Sequence, residues 1–124
     1  MLDRDGRPRA WGWVFGAREV DESEGGPPLY SDFEKDWSAQ LDVISAWTER
    51  NGCVRAGYDI WSVRRPSGRL AAFLARAGVS VVVVAGARIL ERLREGWGEE
   101  EWAQFLGDLR AAGVRIEIAE PAGP

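Results

Sequence analysis

Arg88 and Arg92 stand four residues apart, so a helix through them sets both guanidiniums on one face, a two-arginine patch suited to an anion. The chain offers few other tools for chemistry. None of its 124 residues is histidine, which excludes Ser-His-Asp catalysis and ordinary zinc sites and leaves Ser, Tyr, Lys, Arg and carboxylates. No metal and no cofactor is expected. Ser23 lies among Asp21, Glu22 and Glu24, whose charges oppose ionisation of the hydroxyl and repel a phosphodiester, so it is a weak candidate nucleophile. The single cysteine, Cys53, cannot close an internal disulfide; beside Val54 it reads as packing and suits a reducing cytoplasm. The net charge of −4 argues against nucleic-acid binding by the whole surface but leaves room for a local basic pocket.

The elements that must position these residues follow from pattern. Residues 1–10 read as a flexible tail, 11–121 as one α/β domain and 122–124 as a second tail. Apolar groups alternate from Trp11 to Arg18, as in a strand, and Asp21 to Pro28 then stacks charges, glycines and prolines into a loop. Ser31 and Glu34 match a capping box, and Phe33, Trp37, Leu41, Ile44 and Trp47/Thr48 recur at helical spacing up to Asn51-Gly52. Cys53 to Trp61 reads as the second strand, with a break over Arg64 to Gly68. Leu70 to Ala77 gives a short helix closed by Gly78, and Val79 to Ala85 is the near-continuous valine run of a strand covered on both faces. Two helical stretches, around Ile89 to Leu93 and Trp102 to Leu109, precede a last alternating strand, Val114 to Ile118. Glu99 to Glu101 reads as the acidic first turn of the second of these helices.

The order βαβαβα(α)β predicts a mostly parallel sheet of about four to five strands with helices on both faces and right-handed crossovers. Ligands bind such sheets at the carboxyl ends of the strands, which places Arg18 to Ser23, Asp59 to Arg65 and Ala85 to Arg92 on one edge. Of the seven tryptophans, Trp37, Trp47 and Trp102 are expected in the core, and Trp11, Trp13 and Trp97 as exposed anchors. No apolar run approaches the roughly 20 residues that span a bilayer, and Asp3, Arg4, Asp5 and Arg7 stand where an export signal would be apolar. A cytoplasmic protein is expected.

Four stretches then occur in a specific order: Gln40 to Gly52, where a glutamine opens a helix that closes on Asn/Gly; Arg65-Pro66-Ser67-Gly68-Arg69-Leu70; Gly78 to Val84; and Phe105 to Ile116. Together, over residues 11–121, they resemble the N-terminal catalytic domain of the serine recombinases, the resolvase and invertase family, although an Asp is usual where Ser80 stands. The resemblance implies a resolvase-like fold and a first strand ending in Tyr-x-Arg-x-Ser, whose serine attacks a DNA phosphate while arginines balance the transition-state charge. Arg18 matches that arginine, but Gly16 replaces the tyrosine and Val20 the serine. A second signature, Asp-Arg-x-x-Arg, is broken in both registers. With Arg88 first, Ala87 precedes it and Glu91 follows; with Arg92 first, the flanking residues are Glu91 and Glu95. Arg65 matches a further active-site arginine.

The resemblance therefore implies a degenerate site: Arg18, Arg65, Arg88 and Arg92 as a residual phosphate or DNA contact, or as solvated arginines pairing with Glu19, Glu91 and Glu95. Family members continue into a long helix and a DNA-binding domain, whereas this chain ends at Pro124, so it is not expected to act as a self-sufficient recombinase. The expected role is an inactive pairing or regulatory module in DNA recombination or processing. Its expected partners are a recombinase, another DNA-processing protein or a second copy of the chain, with only local DNA contact and no membrane. Two alternatives remain open: a divergent active subunit cutting through Ser23, and an acidic inhibitor that plugs a basic nuclease with Asp21 to Glu24 and Glu99 to Glu101.

Overall fold

A computed structural model describes residues 6–15, 33, 36–61, 67–95 and 98–120, with 59–61 and 67–69 described through their main chain alone. Eight elements follow one another: β1 (Arg9–Phe15), α1 (Trp37–Arg50), β2 (Val54–Trp61), α2 (Ser67–Arg76), β3 (Val81–Val84), α3 (Ala87–Glu95), α4 (Glu99–Ala111) and β4 (Arg115–Ile118). This is the expected order, and all three strand pairings are parallel, giving a sheet of order β2-β1-β3-β4.

Crossover handedness then fixes the layers. The step from β1 to β2 runs one way across the sheet, and the steps from β2 to β3 and from β3 to β4 run the other way. Right-handed connections therefore put α1 on one face and α2, α3 and α4 on the opposite face. Side-chain alternation agrees. Ala10, Val14, Val81, Val83 and Ala85 pack with Ile44 on the α1 face, whereas Trp13, Phe15, Val82 and Val84 join Leu74, Leu93, Phe105 and Leu109 on the other. The valine run is buried on both sides, as its composition predicts.

Several boundaries differ from the sequence reading. β1 starts at Arg9, inside the stretch expected as a tail, because Ala10 packs into the α1-side core and the Pro8 and Arg9 carbonyls accept from Val54 N and Ser80 N. α1 starts at Trp37, capped by Asp36, whose carboxylate accepts from Ala39 N at 3.0 Å. The capping-box pair Ser31 and Glu34 lies outside the described residues. The far end of α1 is as expected: Gly52 N donates to Glu49 O and Cys53 N to Thr48 O, the paired bonds of a Schellman stop. Cys53 is buried there.

Trp13 is no exposed anchor. It is 1% exposed, because β1 lies between two strands and carries helices on both faces. Its ring stacks on Trp102 and meets Phe105 edge-on, with centroids 6.1 and 5.3 Å apart. Trp11 is half-buried and edge-on to Phe73; Trp97 lies outside the described residues. Between β1 and β2 the register slips at Ala10/Trp11, and Trp11 faces Gly57. A Cβ on Gly57 would sit 2.6 Å from the Trp11 ring, so glycine is what lets the indole lie against the bulged strand. Among the described residues no helix is long and apolar enough to cross a membrane.

Candidate functional site

In a parallel sheet each strand delivers its chain to the carboxyl edge, and each following helix begins there. The order β2-β1-β3-β4 reverses direction between β1 and β3, so the carboxyl ends of these two strands mark the switch point at which sheets of this kind form a binding crevice. Phe15 ends β1 on one side of it. On the other side, Val84 leads through Ala85 and Gly86 into α3. Gly86 has φ +111°, a left-side backbone conformation that a side chain would strain, and its carbonyl accepts from Leu90 N as the first bond of the helix.

Gln40 holds the β1 side of the crevice. Its side chain is fully buried. Oε1 accepts from Phe15 N at 2.8 Å, and Nε2 donates to Phe15 O at 2.8 Å and to Phe33 O at 3.0 Å. Both amide protons and the carbonyl are thus used, and the amide ties the point where the chain leaves β1 to the point where it returns toward α1. The expected stripe of α1, Phe33, Trp37, Leu41, Ile44 and Trp47/Thr48, contains two of the three buried residues of the helix, Ile44 and Thr48, but not the third, Gln40. In the sequence Gln40 stands out only as the residue that opens a helical run. The signal that would have revealed its role is its place four residues before Ile44, a polar residue at the centre of the inward stripe.

On the α3 side, Arg88 stands in the first turn and is exposed. Arg92, one turn later, keeps only 14% of its side chain exposed and pairs with Glu95 at 3.3 Å. The spacing does set both arginines on one helix. Glu91 turns to Arg94 at 3.9 Å, so Glu91 and Glu95 are both engaged within α3 itself. The two neighbouring helix starts differ in charge. No acidic residue stands in the first turn of α3, whereas Glu99, Glu100 and Glu101 fill that of α4. The positive end of the α4 dipole is offset by its own side chains, and that of α3 adds to Arg88 at the crevice.

Arg18, Val20, Ser23 and Arg65 lie outside the described residues, as do Asp21, Glu22 and Glu24. Among the described residues, no group of three His, Cys, Asp or Glu side chains could hold a metal. Two grooves lie elsewhere. One of about 460 Å³ is lined by Ser80, Leu106, Leu109, Val114 and Ile116 beside β4, and one of about 370 Å³ by Glu91, Arg94, Glu95 and Glu99.

No family model matches the sequence, and no curated protein does. Among solved structures, the chain is similar to the C-terminal catalytic domain of ISC1926 TnpA, an IS607-like serine recombinase. The match has a TM-score of 0.57 and 15% identity and covers 94% of this chain and 72% of that one. The fold is therefore that of a serine-recombinase catalytic domain, a four-stranded parallel sheet flanked by helices.

Proposed function

We propose that this chain is a catalytically silent domain of serine-recombinase type that acts as a pairing or regulatory module in DNA recombination or processing. The observation that carries this reading is the recombinase-like fold combined with Val20, which stands where the resemblance calls for the attacking serine. A branched hydrocarbon has no oxygen to form a phosphoester. The carboxyl-edge crevice supports a weaker residual property. Arg88 and the start of α3 attract an anion, and Arg18 and Arg65 are assigned to the same crevice by the resemblance, so a phosphate group is its ligand class.

In this reading the fold is kept for its surfaces. In the structural neighbour the catalytic domain is the C-terminal one of its protein, so a DNA-reading part need not follow such a domain in sequence. The module works in the cytoplasm beside a recombinase or other DNA-processing protein that supplies the chemistry and the sequence recognition.

The test is capture by a serine-recombinase catalytic domain encoded in the same genome, with DNA cleavage by that enzyme assayed with and without this chain. Binding with a changed cleavage rate is the expected result. Cleavage by this chain alone, lost on Ser23→Ala, would replace the reading with that of a divergent active subunit.

A further inference from the structure

β4 ends the sheet, and among the described residues only its β3 side is paired. Arg115 N donates to Ser80 O and Ala119 N to Val84 O, so along the strand Arg115, Glu117 and Ala119 direct their main-chain groups toward β3. By the alternation of a parallel ladder, Ile116 and Ile118 direct theirs outward. Such an edge is a template for another strand.

The side chains divide the same way. Ile116 packs on the core of the α3/α4 face, and Ile118, two residues on, shares that face but is 37% exposed. Arg115 and Glu117 occupy the other face, joined at 3.0 Å and exposed to 56% and 42%.

We propose that β4 pairs antiparallel with β4 of a second copy of this chain, in a register centred on Ile116. Two identical strands pair antiparallel about a two-fold axis, which makes the interface isologous. Only outward-directed residues can exchange main-chain hydrogen bonds, so three registers are available. Ile116 opposite Ile118 puts Glu117 against Glu117 of the second copy, a like-charge clash. Ile118 opposite Ile118 sets Ile116 across from Glu120. Ile116 opposite Ile116 sets each Arg115 across from the other copy's Glu117, giving two opposite-charge pairs in close, non-hydrogen-bonded positions.

The same register solves a second fit. It places each Ile118 opposite Val114 on the α4 side, at the groove of about 460 Å³ whose apolar wall is Leu106, Leu109, Val114 and Ile116 and whose rim includes Ser80, Arg110 and Arg115. The exposed isoleucine of one copy meets the apolar wall of the other copy's groove, and the reverse holds by symmetry. This inference needs only the fold and does not rest on the reading of the carboxyl-edge site.

Sedimentation of the full chain between about 10 µM and 1 mM is the measurement, because so short an interface gives weak association. The wild type is expected to dimerise, and Arg115→Glu and Glu117→Arg are each expected to weaken dimerisation about tenfold or more. An equimolar mixture of the two variants should associate better than either alone, since the mixed dimer restores both opposite-charge pairs. Circular dichroism checks that each variant is folded, and Ile118→Asp, at an exposed position, should weaken association by removing the knob. A wild type that stays monomeric throughout, or a mixture no better than its components, would overturn the proposal.

Discussion

The amide of Gln40 grips the main chain of Phe15 from both directions, accepting from its N–H and donating to its carbonyl, each at 2.8 Å. A third bond reaches Phe33 O. The side chain thus supplies the last residue of β1 with the partners that a neighbouring strand would give. Leucine at position 40 would fill the space but leave these groups unpaired in the core. Gln40→Leu is expected to cost about 3 kcal/mol of folding stability, read as a lower urea midpoint. A loss below about 1 kcal/mol would mean that water takes the place of the amide.

Gly57→Ala should destabilise the fold by about 1–3 kcal/mol, because the added methyl collides with the Trp11 ring. The collision is specific to that pair. In a Trp11→Ala background the same change should cost at least about 1 kcal/mol less, and a double-mutant cycle by chemical denaturation checks it. Equal costs in both backgrounds would place the strain elsewhere.

Trp13 is central to the aromatic cluster with Trp102 and Phe105. Its truncation to alanine is expected to cost about 3–5 kcal/mol and to abolish much of the near-ultraviolet circular dichroism, since it empties a site buried under the helices. Trp37→Ala should do less. Trp37 is half-buried and stacks on Tyr58, itself 43% exposed, so water already reaches that pair.

The sequence carried the layers well and the interior polar anchor poorly. Val81 to Val84 could only be a strand covered on both faces, and the helix stops at Gly52, Gly78 and Gly113 were set by local backbone chemistry. The burial of Trp13 is not legible locally, because its exposure depends on where β1 lies in the sheet. Neighbouring glycines say nothing of that; strand order does. The role of Gln40 is hidden in the sequence for a related reason. Its partners, Phe15 and Phe33, are 25 and 7 residues away, and a side-chain bond across that separation leaves no periodic trace. The arginine pair was legible in spacing, but Arg92's engagement with Glu95 is a matter of rotamer and burial.

At the crevice, inorganic phosphate should shift the amide resonances of Ala87, Arg88 and Ile89, with weak affinity that falls as salt rises. Arg88→Ala is expected to reduce the effect several-fold. Shifts confined to the Glu99 to Glu101 turn would contradict the charge difference between the two helix starts.

Intact-mass measurement of the chain after incubation with nicked DNA duplexes tests the proposal that a recombinase-type fold persists here without its nucleophile. An attacking serine would trap a covalent oligonucleotide adduct on such substrates. An unmodified chain is the expected result, while an active serine recombinase run in parallel acquires the adduct. A chain whose mass increases by one oligonucleotide, with the increase lost on Ser23→Ala, would contradict it.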